Sequence, residues 1–472
     1  MPEAETPAPT LHRVLGPIGV MLLAFSALSP AFSVYIGGDA VLHMAGTGAA
    51  IAFILGGVAT AIVGLLYAEI GAAFPAAGGV YPSLAALLGP LFTFPYIVLL
   101  APLVVAGTAF AALGLADYVR VLMPGAPLLP VTFAALVFAA VIAVLNIRSS
   151  ALVTGAFLAV EAIALATLSV VALIHPSRSL GAVLAHPVML SHGALVATPL
   201  TTMGLAVVSG VWATGGAGWV LYFAEEMRDA RKRIGRVVAW TGVIASITIA
   251  GPMVLMLLSV NDSRAMLAAE APIATYLRMT GGPLIAILVS AGVAAAIFNA
   301  LVASVMGYSR YLFASGRDGI WPRPVNAVLS VIHPRLRTPI NATVVLVVAS
   351  AAAVFLGEKA LLVLISGNVS DYVLISLAIF VGRRRGTTGQ TFRAPLHPMI
   401  PVFGLVVAVL SVIADWMDPD AGRPSIILLL GLFLGAMAYY HFRLRQVSKG
   451  WLVMAEVVET VEIVEVIEVA AS

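Results

Sequence analysis

The chain is a succession of long apolar runs separated by short polar connections. Runs of roughly 18 or more residues, the length at which a helix crosses a bilayer, lie near 15–43, 48–73, 88–118, 129–147, 150–174, 198–223, 236–260, 283–314, 340–356, 360–382, 399–415 and 424–442. The pattern predicts an all-α integral membrane protein of about twelve transmembrane helices. Two runs carry helix-breaking residues where a span is usually most apolar. The first reads Phe25-Ser26-Ala27-Leu28-Ser29-Pro30-Ala31-Phe32-Ser33, with three serines and a proline. Pro30 removes a backbone donor and clashes with the carbonyl four residues back, so the helix must kink or break. The sixth run contains Trp212-Ala213-Thr214-Gly215-Gly216-Ala217-Gly218-Trp219, and each of its glycines weakens a helix by about 1 kcal/mol relative to alanine. Broken backbone is tolerated inside a membrane only where protein or a water-filled cavity satisfies the freed groups. Breaks in spans one and six of a ten-span core are the signature of a five-plus-five inverted repeat with its binding site at the breaks. For the glycines alone, close helix packing is the plainer explanation; the pairing with Pro30 favours a site.

Composition fixes the class. Of 472 residues, 61% are hydrophobic and 10% charged, against about 25% charged in soluble domains. The net charge of +3 reflects basic loops between spans and gives no ground for a nucleic-acid partner. With the N-terminus inside, Arg13, Arg148, Arg228, Arg231, Lys232, Arg233, Arg236, Arg310, Arg317 and ten further Arg and Lys residues fall on the cytoplasmic side. That is 19, against 6 on the opposite side (Arg120, Arg178, Arg264, Arg278, Lys359 and Arg423). By the positive-inside rule both termini are expected in the cytoplasm. The first run lacks a basic n-region and a cleavage site, so it reads as a retained span. There are no cysteines, which excludes disulfides and thiolate metal sites, and the eight histidines have no metal-ligand spacing. No metal or cofactor is expected. The expected organisation is a disordered cytoplasmic N-terminus (1–13), a transport core (14–382, spans one to five and six to ten), spans eleven and twelve (383–445), and a cytoplasmic tail (446–472). In that tail Glu456, Glu459, Glu462, Glu465 and Glu468 recur every third residue, a period matching neither an α-helical face nor a strand.

Four stretches then carry a resemblance. They are Tyr67-Ala68-Glu69 through Phe74-Pro75 to Gly78-Gly79-Val80-Tyr81; Asn146-Ile147-Arg148; Phe223-Ala224-Glu225-Glu226-Met227-Arg228-Asp229 through Ile234; and Ser309-Arg310-Tyr311 through Arg317-Asp318-Gly319, His333-Pro334-Arg335 and Thr338-Pro339. In this order and spacing, from about Gly16 to Arg385, the chain resembles the amino acid–polyamine–organocation permeases. The resemblance implies a leucine-transporter-like fold and secondary transport of amino acids or related amines. Many members carry a glycine run at the first break, whose amides hold the substrate carboxylate. Here the region reads Ser26-Ala27-Leu28-Ser29-Pro30, so an α-carboxylate is not required of the cargo.

Several residues are candidates for the chemistry. With Pro30 in the first turn of an outer half-helix, the amides of Ala31, Phe32 and Ser33 would stand free as an anion site. Carbonyls near Phe25 and Ser26, and from Val211 to Thr214, would face a cation, leaving Gly215, Gly216 and Gly218 as the flexible turn. Ser29, Gly107, Thr108 and Trp212 are further pocket candidates. Trp219, Phe110, Phe25 and Phe32 are aromatics able to shape or gate it, with ordinary packing as the plain alternative. Acidic groups inside a membrane are functional hypotheses by default. Glu161, Asp371 and, nearer one end of its span, Asp39 are therefore candidates for proton coupling. Sodium coupling is the rival, with Ser304 as its hydroxyl and Asn299 as a helper. Glu69 reads as a structural contact at the end of span two. The mixed charges of Glu225, Glu226 and Asp229 against Arg228, Arg231, Lys232 and Arg233 read first as a solvated loop and second as an ion-paired gate.

The sequence therefore describes a secondary active transporter of the cytoplasmic membrane, moving amino acids or related amines by alternating access and coupled to protons. A polyamine or ethanolamine-type permease or exchanger, and a sodium symporter, are the alternatives within that class. There is no Walker A stretch for an ATP-driven pump and no repeated filter for a channel. The HExxH and GxSxG motifs of membrane-embedded hydrolases are also missing, so no enzymatic activity is expected. A non-transporting receptor is the remaining different class.

Overall fold

The computed structural model describes residues 11, 13–123, 125–145, 147–366 and 369–445. The first ten residues, Asn146, Gly367, Asn368 and the tail with its periodic glutamates lie outside the described residues, as do the side chains of Val121 and Arg148. The chain is almost entirely helical. In order come α1 (Pro17–Leu28), α2 (Pro30–Phe32), a π-helical turn (Ser33–Gly37), α3 (Gly38–Ala45), α4 (Ala49–Ala73), α5 (Tyr81–Leu88), α6 (Pro90–Leu122), α7 (Leu128–Ala143), α8 (Ile147–Ile174) and α9 (Leu180–Ala185). A hairpin of β1 (Val188–Ser191) and β2 (Ala194–Ala197) follows, then α10 (Leu200–Thr214), α11 (Trp219–Tyr222), α12 (Ala230–Ser259), α13 (Ser263–Leu267) and α14 (Pro272–Thr280). The remainder is α15 (Pro283–Arg317), α16 (Arg323–Leu329), α17 (Ile340–Ala353), α18 (Glu358–Ile365), α19 (Val369–Arg385), α20 (Met399–Met417) and α21 (Gly422–Tyr439).

Among the described residues, nine helical stretches are long and apolar enough to cross a membrane. The first, Pro17–Ala73, contains both of the first two predicted runs. The fourth and ninth runs form shorter apolar helices, Leu128–Ala143 and Ile340–Leu356. Large apolar side chains such as Phe138, Leu152, Ile163, Leu173, Trp240 and Ile247 are exposed on the outside of the bundle, as a lipid-facing surface requires.

Both predicted breaks form. Ser29 has the left-handed conformation (φ 47°, ψ 87°), uncommon for a residue with a side chain. Pro30 takes the first position of α2, where its missing N–H leaves nothing unpaired. Its turn is capped by Ser29, whose hydroxyl accepts from the Phe32 amide at 3.3 Å. The second break runs from an extended Gly215 to Gly216 at φ +147°. The two breaks touch each other: a Cβ added at Gly216 would stand 2.3 Å from Leu28. At the next level of the bundle, α4 and α10 approach backbone to backbone, since a Cβ at Gly56 would come within 2.4 Å of the Gly210 carbonyl carbon. Such small-residue crossings let membrane helices pack closely, and here they hold the second break against α4.

One feature departs from the pattern reading. The β-hairpin lies in a connection with no strand signal of its own. It is held by the α3–α4 turn, where the Val188 amide donates to Thr47 at 2.9 Å and the Thr198 hydroxyl to the Ala45 carbonyl at 3.0 Å. The tenth run, expected over 360–382, falls within one apolar helical stretch, Glu358–Arg385, with Asp371 near its middle.

Candidate functional site

The first break is built around Glu161. Its side chain projects from α8, is 1% exposed, and reaches the gap between α1 and α2. One carboxylate oxygen accepts from the Ala31 amide at 2.7 Å and from the Ser29 hydroxyl at 3.0 Å. The Ser33 amide is bonded to the Ser29 carbonyl at 3.0 Å. The expectation of three free amides at Ala31, Phe32 and Ser33 is therefore not met. The helix N-terminus is a ready anion site, and the protein fills it with its own acid. The second Glu161 oxygen has no hydrogen-bond partner among the described residues, nor do the two polar atoms of the fully buried Asn299 on α15, which lies beside Glu161. An apolar groove of about 530 Å³ between α1, α8 and α12 leads to this point and is lined by Phe25, Pro30, Leu158, Glu161 and Thr248 among others. Ser26 ties the same helix to α8, its hydroxyl donating to the Thr154 carbonyl at 3.4 Å.

The α15 residues at the break are Ala296, whose carbonyl lies 3.5 Å from the Ser29 hydroxyl, and Asn299. Ser304, the sodium-site candidate, is eight residues past Ala296, about 12 Å further along the helix. It is partly buried there. Asp39 caps a different junction, accepting from the Ile273 amide at 2.9 Å and so joining α3 to α14.

The second break opens onto a separate cavity of about 240 Å³. Trp212, Gly215, Gly216, Gly218 and Asp371 all line it, together with Thr60, Tyr67, Trp219, Tyr222, Tyr308 and Tyr372. Trp212 stacks on Tyr372 with centroids 5.8 Å apart, and Trp219 lies 5.2 Å from Tyr222 and 5.0 Å from Tyr308. The Tyr67 hydroxyl donates to Asp371 at 3.3 Å, and Tyr96 lies close to that carboxylate. Thr214 faces α4, its hydroxyl 2.9 Å from that of Thr60 and donating to the Gly210 carbonyl at 2.8 Å. Gly107 lies near Tyr308 and Ile365 without lining the cavity. Thr108 turns its hydroxyl back on its own helix. The ring of tyrosines was not legible beforehand, because single tyrosines in apolar runs read as packing; only their convergence on Asp371 from α4, α6, α11, α15 and α19 gives them a role.

Glycine is required where the two breaks meet. Replacing Gly216 with valine is expected to reduce initial uptake at least tenfold while the protein still reaches the membrane. A positive φ and the Leu28 contact both oppose a side chain there, and wild-type uptake by that variant would show that the breaks need not touch.

One end of the bundle is closed by buried ion pairs. Glu226 and Arg310 are both essentially unexposed, with the Arg310 guanidinium forking onto the carboxylate through Nε and, at 3.0 Å, Nη2. Glu225 accepts from Arg317 at 3.0 Å, from the Leu11 amide at 2.8 Å and from the Ala77 amide at 3.3 Å. Arg317 also meets Asp318, which accepts from the Tyr81 hydroxyl at 2.7 Å. Burial pushes the Asp318 carboxyl above its ordinary value, with Arg317 and Tyr81 pulling it back. Leu15 and Met227 bridge the two ends of the cluster through backbone bonds. The solvated-loop reading of Glu225 and Glu226 is thus corrected: their partners sit on α15, not in their own loop. Arg310, counted among the loop cations, lies buried inside α15. Glu69 has the structural role expected of it, accepting from Arg383 at 2.7 Å and from the Ala394 amide at 2.8 Å.

A bundle of long apolar helices, two of them interrupted part-way along and meeting at their breaks, is the build of a multi-pass membrane transporter. The amino acid permease family matches residues 15–435, and the chain belongs to that family. The methylthioribose transporter of Bacillus subtilis is 25% identical over 420 residues, covering 85% of this chain and 88% of that protein. The branched-chain amino acid permease of Lactococcus lactis is 26% identical over 260 residues, 52% of this chain and 53% of its own. The cystine/glutamate transporter of Pongo abelii is 25% identical over 267 residues, 55% of this chain and 50% of its own. The last two matches thus span about half the length of those relatives. Family and relatives are transporters, not enzymes.

Proposed function

We propose that the protein carries amino acids or related amines across the cytoplasmic membrane by alternating access around the two breaks, driven by protons. On this reading it has twelve spans with both termini in the cytoplasm. The first ten spans, over 14–382, form an inverted repeat, and spans eleven and twelve follow over 383–445. The observation that carries the coupling is the position of Glu161. It joins both sides of the broken first span through Ser29 and Ala31, so gaining or losing its proton changes what holds the two half-helices together. An ionised Glu161 holds both donors by charge-assisted bonds to one oxygen; a proton on its other oxygen removes the charge and weakens that grip. A proton is favoured over sodium because the acid itself occupies the gap and Ser304 stands away from it.

The same arrangement disfavours a carboxylate as a group recognised at the first break. Its helix N-terminus is already occupied by an anion, and a second carboxylate would be repelled. That supports the amine-type reading within the transporter class. Alternating access is tested by single cysteines, each introduced into a chain that has none. A cysteine at Val63, on the cavity wall, is expected to react with an impermeant thiol reagent from one face of the membrane in the resting protein. Under a reversed gradient with cargo it should react from the other. Reaction from a single face under every condition contradicts the reading.

A further inference from the structure

The cavity at the second break pairs one acid with an aromatic wall. Asp371 is the sole charged side chain among its lining residues, with no lysine, arginine or histidine among them. Its hydrogen-bond partner is a phenol, Tyr67 at 3.3 Å, with a second, Tyr96, close by. The rings of Trp212, Trp219, Tyr222 and Tyr308 line the same space. A carboxylate held away from water needs a positive partner, and aromatic faces attract cations, most strongly when desolvated. The helix geometry adds to this. The 15-residue α10 ends at Thr214, directly before Gly215 and Gly216 of the cavity wall. The negative end of its dipole therefore falls at the cavity.

We propose that this cavity is a subsite for an alkylammonium head group, held by Asp371 against the faces of Trp212, Trp219, Tyr222 and Tyr308. Resting on the transporter reading, the subsite narrows the cargo to small organic cations, including amines that have no carboxylate. Asp371 is then a counter-ion for the cargo, and proton coupling belongs to Glu161 alone. Because the cargo's charge meets a side chain of fixed position, recognition follows the cation and not the rest of the molecule.

The test uses the purified full-length protein in lipid nanodiscs, with intrinsic tryptophan fluorescence, to which Trp212 and Trp219 contribute two of the six tryptophans. Choline, ethanolamine and the uncharged carbon isostere of choline, 3,3-dimethylbutan-1-ol, are titrated against it. Saturable quenching by at least one of the two cations, at least tenfold tighter than the isostere, is the expected result. Asp371→Asn should weaken that binding tenfold or more while leaving the melting transition in place. Equal affinity for cation and isostere, no binding by either cation, or unchanged affinity in Asp371→Asn overturns the subsite. The cation–isostere comparison uses the unaltered chain, so the proposal is tested even where the variant fails to fold. No gradient is involved, so a protein that binds cations in nanodiscs but accumulates nothing in vesicles contradicts the transporter reading and leaves the subsite standing. A protein that accumulates neutral amino acids but binds no cation overturns the subsite alone.

Discussion

Replacing Glu161 with glutamine is expected to abolish the response of uptake to a pH gradient while leaving the folded protein in the membrane. Glutamine is nearly isosteric, and its carbonyl oxygen keeps an acceptor for the Ala31 amide and the Ser29 hydroxyl. What it removes is the exchangeable proton. The two half-helices of the first span should then be held in one arrangement at all pH values. Uptake down a concentration gradient, or exchange of internal for external cargo, is expected to fall less than pH-driven accumulation, because neither requires the proton. The readout is the ratio of initial rates with and without an imposed pH gradient. It should be well above one in the unaltered protein and close to one in Glu161→Gln. A Glu161→Gln variant with the full gradient response would remove Glu161 from the coupling mechanism.

The second large effect is on stability. Arg310→Met leaves the Glu226 carboxylate buried with its guanidinium partner gone, a change that typically costs about 3–5 kcal/mol. Glu226 has little alternative, since both members of the pair are shielded from solvent and its nearest neighbour in the cluster, Glu225, is also acidic. The variant is expected to lose most of its yield of monodisperse protein and to unfold at clearly lower temperature in detergent. Adding Glu226→Gln should restore much of the loss, because the uncompensated charge is then removed with its partner. A single variant as stable as the unaltered protein would mean that water reaches this cluster, and that it does not seal the end of the bundle. The same pairs join the segment around Leu11 and Leu15 to α15.

The breaks were legible in the sequence because proline and clustered glycines act locally. Pro30 dictates an interruption whatever surrounds it, and Gly215 to Gly218 do nearly the same. Glu161 and Asp371 were legible for a similar reason, as charges where hydrocarbon was expected. Their partners were not. Whether Ala31 offers its amide to a ligand or to Glu161 depends on how α8 rotates against α1, which apolar periodicity constrains weakly when a helix is hydrophobic on all sides. The aromatic ring around Asp371 was hidden for the same reason: its members come from five helices distant in sequence, and each alone has an ordinary packing explanation. The loop acids show the opposite error. Glu225 and Glu226 look solvated beside Arg228 to Arg233, yet they are buried against Arg310 and Arg317, more than 80 residues further on. The β-hairpin carried too little alternation to be seen at all.

The most direct test of the central claim is accumulation in vesicles. The purified protein, reconstituted without any partner, is loaded into liposomes and given labelled amino acids and small amines, with and without an inward proton gradient and in the absence of sodium. The account predicts saturable uptake of at least one of these compounds to an internal concentration above the external one, collapsing when a protonophore dissipates the gradient. Uptake that never exceeds equilibration, or that is driven only by sodium, would contradict it.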